Sequence, residues 1–199
     1  MSSRNAILAS LRAAQRTPAT LPDVPMFDVG LPPALDRFKE TFAQMGGIWA
    51  EMPADGDIDA LIRTRFTDAK VICSAVPEVA GTQRIEEVRD PHELDDVDVG
   101  VVRPRFAVAE TGSIWLSEMQ YHVNALGYLS QHLVALLDPA DIVGNLHHAY
   151  HRSEFFAVNY AVLMSGPSAT ADIEGVLIRG AQGIRSLTVI PATRVRASG

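Results

Sequence analysis

Apolar residues recur along the chain with the periods of helices and strands in turn. Leu35, Phe38, Phe42 and Met45 follow one another at spacings of three and four before Gly46-Gly47, which predicts an amphipathic helix over 33–45 with a glycine stop. The continuously apolar run over 132–137 is typical of a buried strand. The same reasoning predicts helices around Ile7, Leu8 and Leu11, over 58–66 and over 121–129, and strands over 48–50 and 71–76.

The middle of the chain has shorter and more closely spaced apolar segments. Short apolar segments over 97–102, 106–109 and 113–116 are separated only by Arg-Pro-Arg and Glu-Thr-Gly, and this tight spacing predicts hairpins. Later elements are a helix through Ile142, Leu146, Ala149 and Tyr150, strands over 157–164 and 187–190, and a helix over 170–179 between them. Together these elements predict an α/β fold with a largely parallel central sheet covered by helices and a β-hairpin-rich middle segment.

Composition and charge narrow the classes of protein. The 199 residues are 47% hydrophobic, enough for the core of one globular unit, in which an N-terminal helix and proline-rich arm over 1–33 precede an α/β domain over 34–199. The formal net charge of −7 disfavours binding to nucleic acid or to an anionic membrane surface. Polar residues or Gly166-Pro167 interrupt the two long uncharged stretches, so we expect no membrane span.

Cysteine occurs once, as Cys73. The chain on its own can form no internal disulfide and cannot supply the several thiolates that hold an iron-sulfur cluster. Its N-terminus has no long apolar segment of the secretory kind. We therefore expect a cytoplasmic protein that binds no cofactor by itself.

The strongest candidate for a binding site is the turn Ser165-Gly166-Pro167-Ser168, called the serine turn below. It follows an apolar strand and precedes the predicted helix, and ligands of α/β proteins collect where a strand ends and a helix start presents free N–H groups. Thr170 and Asp172 complete this candidate ligand site. Alternatively, Ser168 or Thr170 merely caps the helix while Asp172 complements its dipole.

A second candidate is the segment Glu110-Thr111-Gly112-Ser113, called the glutamate turn, which joins two apolar segments. A carboxylate there can act as nucleophile or general base, since burial raises its pKa, and glycine allows a neighbouring backbone to come close. Glu110 is thus the candidate catalytic residue, and Thr111, Gly112 and Ser113 are candidate ligand-binding residues. The alternative is an ordinary hairpin turn with a solvated glutamate.

Histidines and arginines supply weaker candidates. His147 and His151 have the one-turn spacing of metal ligands on a helix, but no metalloprotease motif accompanies them. We interpret them, with His148, as a solvated helix face rather than a metal site. Arg103 and Arg105 either meet an acidic ligand or keep a strand edge soluble.

The two turns together resemble the motifs of a known family. Ala109 to Ser113, followed by Ser165-Gly-Pro-Ser-Ala-Thr-Ala-Asp-Ile-Glu174, is similar to the lactate-utilization protein C family, the LUD domain. Further support comes from Gly180 to Gly183, from Leu35 to Glu40 with Gly46-Gly47, and from His132 to Leu137. The resemblance implies a fold similar to the sugar-phosphate isomerase and CoA-transferase superfamily. It also implies a role in oxidising L-lactate to pyruvate alongside iron-sulfur partner subunits.

Three functions follow as hypotheses. The first is a lactate-utilization subunit whose two turns meet at one site for a small anionic ligand, while iron-sulfur clusters reside on partner subunits. The second is a stand-alone enzyme that acts on a small organic acid, sugar phosphate or acyl-CoA through Glu110. The third is a non-catalytic regulatory or structural partner. Under the first hypothesis, Glu110 and Thr111 share a pocket with Ser165 and Thr170.

Overall fold

The computed structural model describes residues 3–14, 20, 22–171 and 176–194, and the strands of that part form three sheets. In chain order the strands are β1 (Ile48–Trp49), β2 (Ile72–Ser74), β3 (Gln83–Arg84), β4 (Val99–Val102), β5 (Phe106–Val108), β6 (Ser113–Ser117), β7 (His132–Leu137), β8 (Ile142–Val143), β9 (Ala161–Met164), β10 (Ala169–Ala171), β11 (Leu177–Arg179) and β12 (Ser186–Pro191). The helices are α1 (Ser3–Ala13), α2 (Ala34–Gln44), α3 (Ile58–Arg65), α4 (Glu118–Tyr121), α5 (Leu126–Leu129) and α6 (Leu146–Tyr150).

Six strands form the main sheet, in the order β1-β12-β7-β4-β2-β3. Every pairing within it is parallel, which confirms the predicted α/β architecture. Strand β7 is buried along nearly its whole length, as its apolar sequence predicts. Because side chains alternate across a strand, Leu133 and Ala135 pack on one face of the sheet while Val134 and Leu136 pack on the other.

Different elements cover the two faces of the main sheet. Helix α3 buries Ile58 and Ile62 against one face. Helix α2 buries Phe38 and Phe42 against the other face, where the two rings stack with their centroids 5.2 Å apart. The spacing of four residues in α2 places both rings on one side of that helix.

A second, four-stranded sheet, in the order β8-β5-β6-β9, shares the core of α2. Strands β5 and β6 form an antiparallel hairpin, as predicted. The segment over 97–102 was also expected to belong to a hairpin, but it forms β4 of the main sheet. Strand β9 is shorter than predicted and pairs antiparallel with β6. Its partly buried Leu163 lies opposite the buried Trp115 and packs with it, and this cross-strand contact favours the pairing of β9 with the second sheet.

The predicted helix over 170–179 is wrong, and with it the predicted helix start at the serine turn. In the described part of this range, β10 pairs antiparallel with β11, while residues 172–175 lie outside the described residues. The N–H of Gly180 donates to the carbonyl oxygen of Ser168 at 2.7 Å and closes the pairing. Val176, Leu177 and Ile178 are exposed, so the apolar face that would stabilise a helix is not buried, and branched side chains favour a strand.

Two further helices are shorter than predicted. The segment over 121–129 is split between α4 and α5, because His122 has a φ of 60° and ends α4. The segment over 142–150 begins as strand β8. Asn145 then accepts a hydrogen bond from the backbone N–H of His148 and sets the start of α6 at Leu146.

The predicted N-terminal helix is α1, and none of its residues is buried. Within the arm, the carbonyl oxygens of Met26 and Phe27 accept hydrogen bonds from Asn145 Nδ2, so this part of the arm lies against the start of α6. Across the described ranges, no helix combines the length and apolar character needed to cross a membrane.

Candidate functional site

The glutamate turn packs against helix α2 through Gly112. A Cβ at Gly112 would lie 2.5 Å from the backbone nitrogen of Phe42 and 2.6 Å from the carbonyl carbon of Thr41. The residue also has a φ of 58°, a conformation that glycine adopts without strain. Glycine is therefore what allows the turn to approach the helix backbone so closely.

Hydroxyl groups hold the glutamate turn in place. Thr41 Oγ1 donates to the carbonyl oxygen of Ala109 at 2.6 Å, which ties the turn to α2. Within the turn, Thr111 Oγ1 and Ser113 Oγ are hydrogen-bonded at 2.6 Å, and Ser113 is buried. The side chains of Thr111 and Ser113 thus stabilise the turn itself.

The carboxylate of Glu110 caps a helix. Its Oε2 accepts a hydrogen bond from the backbone N–H of Leu146 at 3.0 Å, and Leu146 is the first residue of α6. The first N–H groups of a helix have no partner within the helix, so this contact satisfies one of them. Glu110 is exposed, and its position favours a structural role at the α6 start.

The serine turn meets both the glutamate turn and the end of α2. Ser165 Oγ donates to the carbonyl oxygen of Thr111 at 3.3 Å. Gly166 has a φ of 67°, and a Cβ there would collide with the carbonyl oxygen of Met45. The two turns singled out from the sequence therefore touch, and two glycines permit their close packing around the end of α2.

The serine turn forms one wall of a cavity of about 480 Å³, called the serine cavity. The other lining residues are Gly127, Tyr128, Val162, Leu163, Met164, Gln182, Gly183 and Ile184. The structure brings Ser165 to Thr111 but does not bring Glu110, Thr111, Gly112 or Ser113 into the lining of this cavity. Thr170 is exposed on β10, and Asp172 lies outside the described residues.

Neutral donors dominate the serine cavity. Among the described lining residues none is charged, and the polar side chains are Tyr128, Ser165, Ser168 and Gln182. The hydroxyl groups of Tyr128 and Tyr160 form a hydrogen bond. Burial, together with that bond, raises the pKa of Tyr128 to about 12, so the phenol remains protonated at neutral pH. The cavity suits a ligand whose oxygen atoms accept hydrogen bonds from hydroxyl and amide groups.

Sequence reasoning assigned the serine turn to the site but missed the other eight lining residues of the serine cavity, among them Tyr128, Gln182 and Gly183. Gln182 and Gly183 belong to the Gly180 to Gly183 segment, which contributed to the family resemblance but was not assigned to the site. A Cβ at Gly183 would lie 3.4 Å from the Cβ of Ser168, so the segment packs directly on the serine turn. Tyr128 had no signal in the sequence, because its proximity to the serine turn arises only from the tertiary fold.

The histidines of α6 make local contacts. The His147 ring packs on Phe27 with centroids 5.0 Å apart, and His151 Nδ1 lies 2.8 Å from the carbonyl oxygen of His147. His148 Nε2 lies 3.9 Å from a carboxylate oxygen of Asp28. In the part of the chain that the structure describes, no group of three or more His, Cys, Asp or Glu residues is arranged to hold a metal ion.

A parallel sheet with a cavity at a glycine-containing serine turn defines the chain as an α/β protein with a candidate small-ligand site. The model of the LUD domain family matches residues 33–190, and the chain belongs to this family. A crystal structure of a DUF162 family protein from Deinococcus radiodurans is similar with a TM-score of 0.58 and 18% identity, over 80% of this chain and 96% of that chain. This likeness shows a shared fold. No curated protein matches the chain.

The superfamily relation and the limits of the domain remain predictions. One is the relation to the sugar-phosphate isomerase and CoA-transferase superfamily, which follows from the resemblance alone. The other is the division of the chain at residues 33 and 34, although the family match begins at residue 33.

Proposed function

We propose that the chain is a subunit for lactate utilization that supports the oxidation of L-lactate to pyruvate together with iron-sulfur partner proteins. The observation that carries the proposal is the LUD family match, which spans both the glutamate turn and the serine turn. This family is associated with lactate utilization. The serine turn, which carries the more specific motif, also lines a cavity large enough for a small organic acid.

The proposed division of labour follows from the chemistry of the reaction and of the chain. Oxidation of lactate to pyruvate releases two electrons, which a redox centre must accept. An iron-sulfur cluster takes several thiolates, and the chain has one cysteine, which is buried. Burial raises the pKa of the Cys73 thiol to about 11, so the thiolate form is disfavoured. In this proposal the chain works in the reducing cytoplasm and partner proteins carry the clusters.

The part assigned to this chain is the binding and orientation of a small ligand. Ser168 and Gln182 of the lining supply hydrogen-bond donors, and Tyr128 supplies a protonated phenol. Such neutral donors fit the carboxylate, hydroxyl or keto oxygens of a small organic acid. The contact between Ser165 and Thr111 fixes the serine turn against the second sheet, and a fixed turn loses little entropy when a ligand binds.

Calorimetry tests this assignment. The purified chain is titrated with L-lactate, pyruvate, CoA and a sugar phosphate, and the titrations are repeated on Ser168→Ala and on the control Ser10→Ala, which changes an exposed serine of α1. We expect lactate or pyruvate to bind, and Ser168→Ala to weaken that binding about fivefold, the effect of one lost hydrogen bond. Binding of CoA or sugar phosphate without binding of either acid would contradict the proposal and favour a stand-alone enzyme.

A further inference from the structure

A second cavity opens where three parallel strands end. Residues 75–77 follow β2, Arg103 follows β4 and Arg194 follows β12, and all of them line a cavity of about 530 Å³, called the arginine cavity. The carboxyl ends of parallel strands are the usual ligand-binding edge of an α/β sheet. Ile184 of the serine cavity precedes β12. The two cavities therefore lie at opposite ends of a strand about 20 Å long.

Arg103 is held in place before any ligand arrives. Its guanidinium donates to the carbonyl oxygen of Ala192 at 2.8 Å and to Glu78 Oε1 at 2.5 Å. Only 13% of its side chain is exposed. A cation fixed in this way is preorganised for an anion, because binding does not have to order a flexible side chain.

Arg194 is the second fixed cation of the cavity. One of its terminal nitrogens donates to the carbonyl oxygen of Pro104 at 2.9 Å, and its Nε lies 3.8 Å from a carboxylate oxygen of Asp141. Burial lowers the pKa of Arg194; Asp141 opposes this effect, while Arg105 and Arg103 add to it. An anion in the cavity would stabilise a guanidinium that is partly removed from water and lies near other cations.

Within the described part of the chain, one nitrogen of each arginine makes no hydrogen bond, although Arg194 Nε lies within ion-pair distance of Asp141. The Nε atoms of Arg103 and Arg194 are buried and have no hydrogen-bond acceptor among the described residues. Buried polar groups are nearly always hydrogen-bonded in proteins, and an exception calls for an explanation such as an ion or a ligand nearby. Both exceptions belong to residues that line the arginine cavity, although the two Nε atoms are themselves buried.

The end of α4 forms another wall. Gln120 Oε1 accepts hydrogen bonds from the backbone N–H and the Oγ of Ser117, so the amide N–H groups of Gln120 are the part available to a ligand. Met119 is 67% exposed and supplies an apolar surface. His122 has φ 60° and ψ −48°, a conformation that is costly for a residue with a Cβ and that clusters at functional sites.

The charges of the lining indicate the class of ligand. Three charged side chains line the cavity, with Arg103 and Arg194 positive and Glu78 negative. Asp141, outside this lining, lies 3.8 Å from Arg194 Nε, so each guanidinium faces one carboxylate and the region carries little net charge, which suits a singly charged anion better than a phosphate dianion. Guanidinium groups bind carboxylates through paired hydrogen bonds, and Val76 and Met119 offer apolar surface to a short carbon chain.

We propose that the arginine cavity binds a small monocarboxylate, with its carboxylate at Arg103 and Arg194 and its carbon chain against Met119. Of the two interpretations that the sequence allows for Arg103, this proposal adopts contact with an acidic ligand. It rests on the residues of the cavity and does not depend on the proposed function of the chain.

Methionine methyl groups report which cavity is occupied. Met119 lines the arginine cavity and Met164 lines the serine cavity, so a methyl NMR spectrum of the methionine-labelled chain separates the two sites. Titration with sodium pyruvate is expected to shift the Met119 signal along a saturating curve. A Met119 signal that stays in place, including the case in which Met164 alone shifts, overturns the inference while leaving the serine cavity as a site.

Inorganic phosphate is the second probe, and it tests the class of ligand. We expect phosphate to shift the Met119 signal only at concentrations well above those needed with pyruvate. Saturation of Met119 by phosphate at a lower concentration than by pyruvate would overturn the assignment to a monocarboxylate.

Two substitutions test the charge requirement and keep Met119 as the reporter. Arg194→Gln removes a cation, and Gln120→Glu adds an anion with almost no change of shape, since a carboxylate can still accept from Ser117. Each is expected to weaken the pyruvate affinity read at Met119 at least about tenfold. Arg185→Gln, at the opposite end of β12, is the matched control expected to leave that affinity unchanged. An unchanged Met119 titration in Gln120→Glu and Arg194→Gln would overturn the inference.

Discussion

Ser165 Oγ donates a hydrogen bond to the backbone carbonyl oxygen of Thr111 at 3.3 Å and so joins two turns that lie 54 residues apart in the sequence. Ser165→Ala is expected to lower the free energy of unfolding by about 1 kcal/mol, the usual net value of one such bond. Urea denaturation measures the change, with Ser10→Ala as the exposed control. Equal stabilities of the two variants would show that the contact does not stabilise the fold.

Gly112 tests the packing of the glutamate turn on α2. Gly112→Ala is expected to cost about 3 kcal/mol or more, because the added Cβ would meet the backbone of Thr41 and Phe42 and because φ is positive. Gly56→Ala is a matched control, since Gly56 has a φ of 74° and no atom lies within 4 Å of the position that its Cβ would take. Gly56→Ala should lower the free energy of unfolding by only about 1 kcal/mol, through backbone strain. Similar losses in both variants would argue against close packing at Gly112.

A substitution at Glu110 distinguishes a structural role of its carboxylate from a catalytic role. Its carboxylate accepts a hydrogen bond from Leu146 N–H, and the amide oxygen of glutamine can accept the same bond. We therefore expect Glu110→Gln to change the free energy of unfolding by less than about 0.5 kcal/mol and to leave ligand affinity and lactate oxidation in the presence of partner proteins nearly unchanged. A large loss of oxidation at unchanged stability would instead identify Glu110 as the catalytic carboxylate.

Glu154 gives a prediction of pH dependence. Its Oε1 lies 2.8 Å from a terminal nitrogen of Arg152 and 3.0 Å from Nε of Arg105. Although burial acts to raise it, hydrogen bonds from the Glu154 backbone and from Arg152 lower the pKa of Glu154 from 4.5 to about 2. A carboxyl group whose pKa is lower in the folded than in the unfolded state stabilises the fold at every pH above its unfolded-state pKa. This contribution is lost as the pH falls towards the folded-state pKa.

Glu154→Gln should therefore be less stable than the wild type at neutral pH, by about 1 kcal/mol for a partly exposed ion pair. Thermal unfolding measured over a series of pH values checks this. The difference between the two proteins is expected to shrink between pH 4.5 and about 2. A difference that is constant over this range would contradict the assigned pKa.

The sequence predicted best those elements that depend on local periodicity. The buried strand over 132–137 and the helix over 33–45 were found because their own apolar spacing decides their structure. The segment over 170–179 was mistaken for a helix because its apolar residues also have helical spacing, whereas in the structure Val176, Leu177 and Ile178 are exposed and β10 pairs with β11. Local spacing alone cannot show whether an apolar face is buried in the folded chain.

The candidate site shows the same limit. The sequence identified both turns, but the cap that Glu110 makes at Leu146 depends on where α6 begins, and that start is set by Asn145. The proximity of Tyr128 to the serine turn likewise exists only in the folded chain. Residue types and spacing indicated which segments matter, and tertiary structure decided which side chains line the cavity.

In the proposed function, the chain supports lactate oxidation only together with proteins that carry the redox centres. This dependence is measured as the L-lactate-dependent reduction of an artificial electron acceptor by the chain alone, by iron-sulfur partner proteins alone, and by the mixture. We expect reduction only in the mixture, at a rate lowered by Ser168→Ala. Reduction by the chain alone, or a mixture no faster than the partner proteins by themselves, would contradict the proposed function.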